Sequence, residues 1–209
     1  MGLLLAITTP LCSFAQDDQD DAAISAEEEF KDLLKKHVTV LSVPQLTAKV
    51  NLDGKLDEPF WKQAALIPIK IETYPNLLAE SPVRTKARLA LVNESTILVG
   101  FDAYDPNPKD IRAPLRDRDG IELDDYVGIA IDPSGKGATT YELYVSAAGI
   151  QADWLRNKVA DKRSRDWDAD WESAAHVTNT GYSVEMKIPV SELAIPEDID
   201  DRKRILVLK

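Results

Sequence analysis

Carboxylates dominate the chemistry open to this chain. The stretch "NLDGKLDEPFWKQA" (residues 51–64) sets Asp53, Asp57 and Glu58 beside Phe60 and Trp61, and "DAYDPNPKD" and "DRDGIELDD" gather more acids further on. Such groups can work as a general acid/base pair or as oxygen ligands to a hard divalent cation. A catalytic pair needs a cleft and a shifted pKa, and the sequence shows neither. Neither acidic loop has the alternate acids and twelfth-position Glu of an EF-hand. A nucleophile elbow, a phosphate-cradling glycine loop, an HExxH and a Cys/His zinc spacing are all missing, so no catalysis is expected of this chain. The candidate metal ligands are Asp119, Asp124 and Asp125, whereas Asp102 and Asp105 read as turn formers.

The elements that must position these groups follow from composition and period. At 209 residues and 44% hydrophobic content, the chain is sized for one packed domain with an appendage. A net charge of −11 argues against nucleic acid and anionic lipid as partners, because both demand clustered Lys and Arg. Leu3 to Leu11 form an apolar run shorter than the ~20 residues of a membrane helix. Ser13-Phe14-Ala15 follows in the small-x-small form of a cleavage site, so residues 1–15 read as a secretory signal peptide. No Lys or Arg precedes the run, which fits a start inside a longer signal. Cleavage after Ala15 removes Cys12, the one cysteine, and export without disulfides fits a bacterial periplasm, outer membrane or cell surface.

Residues 16–44 are an acidic lead. Within it, Ser25 and Glu28 form a capping box and Phe30, Leu33 and Leu34 an apolar stripe, which predicts a short helix over 26–36. From residue 38 the period becomes two, with strand character in "HVTVLSV" and "LTAKVNL". In "TKARLALVNESTILVGFDAYD", Ala87, Leu89 and Leu91 alternate with Lys86, Arg88 and Ala90, and "NES" turns the chain back. "DDYVGIAID", "TTYELYVSA" and "YSVEMKIPV" follow, each bounded by turn formers. The pattern predicts an all-β fold over 45–209, an antiparallel β-sandwich or jelly roll with the short helix outside it. The final "RKRILVLK" reads as a strand without a closing turn, as expected of a domain cut from a longer protein.

Several phrases then fall in a known order. "VNLDGKLDEPFWKQA", "ARLALVNESTILVGFDAYDPNP", "DDYVGIAIDP", "YELYVSAAGIQAD" and "WDADWESAAHVTNTGYSVEMKIPVSEL" resemble the successive segments of family 9 carbohydrate-binding modules and their relatives, over roughly residues 48–195. The resemblance makes "DGKLDEPFW" a fold-opening signature: Asp53-Gly54 a turn, Asp57 a cap, Pro59 the first helical residue. Trp61, Ala64 and Ala65 are then expected to plug one end of the sandwich.

It also implies a saccharide partner, held by aromatic stacking and by hydrogen bonds from polar side chains. Trp154 and Trp167 stand at the two ends of the basic segment "LRNKVADKRSRD" and form the expected rim, with Trp171 and Tyr104 as further candidates. The family's better-known members clamp a sugar between two tryptophans, and the loop expected to carry one of them, "APLRDRDGIEL", has no aromatic residue. That departure moves the expected site towards Arg116, Arg118 and Asp119 and a polar or acidic ligand. Calcium is the ion the resemblance implies for the acidic loops. A minor alternative is b-type haem, bound by some relatives of this sandwich, with His37, His176 and Met186 as candidate axial ligands. Relatives also precede outer-membrane β-barrels, so the rival to sugar capture is a structural or interaction domain attached to such a barrel.

Overall fold

In the computed structural model, residues 41–72, 75–76, 79–195 and, for the backbone alone, 206–208 are described. The expected signal peptide, the helix over 26–36 and His37 lie outside them. Ser42–Lys209 forms one compact unit, and everything below lies within it.

The period-two segments become strands among the described residues: β1 Gln45–Leu46, β2 Ala65–Glu72, β3 Ala79–Val92, β4 Thr96–Tyr104, β5 Tyr126–Ile131, β6 Thr139–Ser146, β7 Gln151–Asn157, β8 Lys162–Ser164, β9 Glu172–Thr178, β10 Gly181–Pro189 and β11 Leu206–Leu208. They make two sheets, as the expected sandwich requires. Sheet A runs β1-β3-β4-β10-β9, with β2 also on β3, and sheet B runs β11-β5-β6-β7-β8. All pairs are antiparallel except the short β1–β3 pair. The β3–β4 hairpin turns where the sequence places it. Asn93 and Glu94 take φ of 50° and 61°, and Ser95 N donates to Val92 O at 3.3 Å, a turn whose twist matches that of the strands.

Alternation then sorts the side chains. Ala87, Leu89, Val99, Phe101, Val184, Met186 and Ile188 share one face of sheet A, and Val127, Ile129, Ile131, Leu143 and Val145 share one face of sheet B. All twelve are buried, and these two apolar faces make the core between the sheets.

The outer faces are covered too. On sheet A, Leu98 and Ala90 lie under Phe60 and Trp61 of the 3-10 turn Pro59–Lys62. This corrects the expected end plug: the opening signature lies across a sheet face. Gly100 is what admits it, since a Cβ there would lie 2.8 Å from the Trp61 ring and 2.6 Å from Leu56. Pro59 is the first helical residue, as expected, but the cap position falls to Glu58 and not to Asp57.

The same parity settles the haem geometry. His176 pairs with Ser183, and Met186 stands three residues along β10, so the two project from opposite faces of sheet A. The hairpin forms, yet it does not bring them together as axial ligands.

Candidate functional site: an arginine cleft at one end of the sandwich

β7 and β9 begin at the same end of the sandwich, and the loop between β4 and β5 passes over them. Two backbone contacts fix that loop: Asp119 N donates to Gln151 O at 3.1 Å, and Asp119 Oδ1 accepts Asp153 N at 3.0 Å. Asp119 holds φ at 66°, a left-handed conformation that Asp tolerates better than most residues. Between the loop and the strands lies an open cleft of about 570 Å³, lined by Leu52, Arg116, Arg118, Ile150, Gln151, Glu172 and Ser173 with Gly149 at the turn.

Each arginine is aimed by a buried aspartate. Arg116 Nε donates to Asp124 Oδ1 and Oδ2 at 2.8 and 3.0 Å, and the Asp124 side chain has no exposed surface. Among the described residues, the two terminal amino groups of Arg116 donate to nothing. Arg118 grips Asp153 with Nε at 3.1 Å and Nη2 at 2.9 Å, while its Nη1 donates to Gln151 Oε1 at 2.6 Å. Asp153 also accepts Ala169 N at 2.7 Å and Trp171 Nε1 at 3.2 Å, so this carboxylate ties β7, the loop and the entry to β9 together. A buried carboxylate is tolerated when it is paired and hydrogen-bonded in this way. The cleft therefore offers guanidinium and amide groups in fixed positions, above the apolar surface of Leu52 and Ile150.

The aromatic candidates are placed differently from expectation. Trp154 is 1% exposed, packed on Ile121, Ala152 and Tyr144 and covered by Arg163. Trp171 is buried, with its indole N–H spent on Asp153. Trp167 is half-buried and stands edge-on to Tyr141 at 4.9 Å. Tyr141 projects from the face of sheet B opposite to Trp154, so Trp154 and Trp167 do not form a common rim. Tyr104 is exposed under Arg84 on the outer face of sheet A, paired with Gly181, whereas cleft residue Glu172 pairs with Lys187 at the other end of β10. Arg116 and Arg118 thus share the cleft, Asp119 fixes its loop, and the four aromatic candidates line none of it.

The expected metal trio does not converge either. Asp124 is turned on Arg116, and Asp125 accepts Arg112 N at 2.6 Å. Asp119 instead comes within 4.8 Å of Asp153 and Asp168. Arg118 stands inside that group, bonded to Asp153 and 3.5 Å from Asp168, and Asp153 also accepts Ala169 N and Trp171 Nε1. Calcium takes six to eight oxygen ligands, and in this group a guanidinium already shares two of the three carboxylates.

Gln151 and Asp153 were legible only as part of a strand. The alternation of "GIQADW" could have flagged them, since it puts a carboxylate and an amide on the parity of buried Leu143 and Val145.

Three comparisons bear on this geometry. Residues 52–202 match the family described as carbohydrate family 9 binding domain-like. A crystal structure of a "putative carbohydrate-binding protein" from Bacteroides uniformis ATCC 8492 shares the fold, with a TM-score of 0.57 and 14% identity over 73% of each chain. No curated protein matches the chain. With most of its length matched, and with the signature's glycine and tryptophan packed on sheet A, this chain belongs to the family of carbohydrate family 9 binding domain-like proteins.

Proposed function

We propose that the chain is a non-catalytic carbohydrate-binding domain of an exported bacterial protein, and that the arginine cleft holds one or two units of an oligo- or polysaccharide. Family membership supports the saccharide. The observation that carries the site is the posture of Arg116: anchored through Nε on buried Asp124, it leaves both terminal amino groups without an acceptor among the described residues. A guanidinium fixed in advance loses little freedom on binding, which is how a few polar contacts come to yield useful affinity. The volume falls within the few hundred Å³ usual for small-ligand sites, and Leu52 and Ile150 give the apolar face of a sugar ring a surface to rest on. Export rests on the apolar run Leu3 to Leu11 and the small residues after it.

A second reading has one observation in its favour. Leu115 and Leu123 are 87% and 70% exposed on the loop that carries Arg116, an apolar display that suits a protein partner such as a β-barrel of the same full-length protein.

Calorimetric titration with neutral and acidic oligosaccharides tests the first reading. Saturable heat for one sugar class, with affinity weakened in Arg116→Lys and Gln151→Ala, is the expected result. A folded chain that binds none of them is not a carbohydrate-binding domain of this kind, and the search would turn to a protein partner.

A further inference from the structure

The cleft uses Arg116 and Arg118 and leaves a second basic feature unexplained. Residues 156–165, "RNKVADKRSR", hold five Lys and Arg against one Asp, in a chain of net charge −11. They form the end of β7, a turn and β8. The register sets Arg156 directly opposite Arg163 on the outer face of sheet B, a like-charge pair that works against folding. Arg163 is fixed there, its Nε donating at 2.9 Å to Glu142, whose side chain is 1% exposed. Its guanidinium lies 4.1 Å from the centre of the Trp154 ring, with that of Arg165 at 5.6 Å. Arg165 is paired with Glu122, and both side chains are half exposed.

Beneath these cations are two polar atoms with no partner. Among the described residues, Trp154 Nε1 and Thr140 Oγ1 are buried without a hydrogen-bond partner, and alternation puts both side chains on this outer face. Arg156 is paired with exposed Asp161 at 3.5 Å, so two of the three guanidiniums are held by exposed carboxylates, while the two buried polar atoms beneath them cost free energy.

We propose that this face of β7 and β8 is a second saccharide surface, separate from the cleft and independent of its function, that grips the uronate carboxylates of an acidic polysaccharide. Guanidinium forks match carboxylates two bonds at a time, and Arg156, Arg163 and Arg165 present three of them on one side. Arg163 stays on Glu142 as the fixed element. Arg165 leaves Glu122 for the ligand, an exchange that costs little because exposed ion pairs are weak. Its departure frees a guanidinium for the carboxylates and brings the ligand's hydroxyls towards the two unpartnered polar atoms, while the Trp154 ring stays beneath Arg163.

Calorimetry of the full chain with oligogalacturonate and with a neutral oligosaccharide of equal length tests this. The acidic oligomer is expected to bind saturably, less tightly as salt rises, and the neutral one not to bind at this face. Arg156→Gln and Arg165→Gln, whose partners are exposed, are expected to weaken binding at least tenfold, and Lys86→Gln, a charge removed from sheet A, to leave it unchanged. Arg163→Lys keeps the charge for Glu142 and loses the fork, so it is expected to weaken binding with the circular dichroism spectrum intact. Absence of binding overturns the proposal. So does equal binding of dextran sulfate or duplex DNA, which would reveal attraction to any polyanion. Loss of binding in Arg116→Lys with none in Arg165→Gln would move the ligand to the cleft and also overturn it.

Discussion

Trp61 Nε1 donates to Glu185 Oε1 at 3.1 Å, joining the opening signature to β10. Glu185 Oε2 accepts Asp53 N at 3.0 Å and Gly54 N at 2.9 Å, and Ser183 Oγ donates to Gly54 O at 2.6 Å. Of the acids of "DGKLDEPFW", Asp53 serves its own turn, its Oδ1 accepting Lys55 N at 3.0 Å. The carboxylate that matters is 0% exposed on the far strand, and it receives the turn's backbone and the indole at once. Glu185→Ala would strand two buried donors and one part-buried donor. The expected loss is about 3 kcal/mol of unfolding free energy, checked by urea denaturation. A loss below about 1 kcal/mol would show that the turn docks by apolar contact alone.

Burial pushes the Glu185 carboxyl from its ordinary 4.5 up to about 7, against the lowering effect of the Asp53 and Gly54 N–H groups. The folded chain therefore holds this proton more tightly than the unfolded chain. The contribution of Glu185 to stability is whole below pH 4.5 and is lost as the pH rises through 7. Urea midpoints from pH 5 to 8 are expected to fall for the natural chain and to stay flatter for Glu185→Gln, after subtraction of their common trend. Parallel curves would place the carboxyl's titration elsewhere.

Gly54 lies against the β9 backbone with φ at 81°, and a Cβ there would come within 2.5 Å of the Ala175 carbonyl carbon. A side chain meets both strain and backbone that cannot yield. Gly54→Ala is expected to cost about 2 kcal/mol or more, whereas Gly137→Ala, at φ of 72° with nothing within 4 Å, is expected to cost less. Equal costs for the two would mean that backbone conformation alone decides, without the docking onto β9.

In the cleft, Arg116→Lys keeps the charge beside Asp124 and gives up the fork. Sugar affinity is expected to drop about tenfold with stability changed by less than about 1 kcal/mol. An unchanged affinity would leave Arg116 a structural partner of Asp124 and nothing more.

How much of this could be read in the sequence depends on range. Ala87, Leu89 and Leu91 declared their face through local alternation, and "NES" declared its turn. Arg116 and Arg118 were legible through the family resemblance, because their loop carries charges where the resemblance leads one to expect an aromatic residue. Asp153 was not, because its meaning comes from Arg118, 35 residues away in the chain, and from Trp171. Trp154 looked like a rim residue for the same reason. The segment that follows it, Arg156 to Asp166, is mostly polar, and what buries Trp154 arrives from Ile121 and from Arg163 on β8. Local pattern fixes periodicity, and long-range pairing decides which side chains are covered.

Trp154 and Trp167 are where the sequence reading and the structure separate most sharply. As two ends of one rim, either replacement by Ala would abolish sugar binding and spare the fold. In the structure Trp154 is a core residue under a guanidinium, and its truncation leaves a large cavity on the outer face of sheet B, with a cost of about 3–5 kcal/mol. Trp167 gives up one edge contact with Tyr141, expected to cost about 1 kcal/mol. Thermal melts of the two variants are therefore expected to differ widely, Trp154→Ala melting far below Trp167→Ala, and cleft binding is expected to survive in Trp167→Ala. A Trp154→Ala variant as stable as the natural chain would mean that the ring is free of the packing seen here and available to a ligand after all.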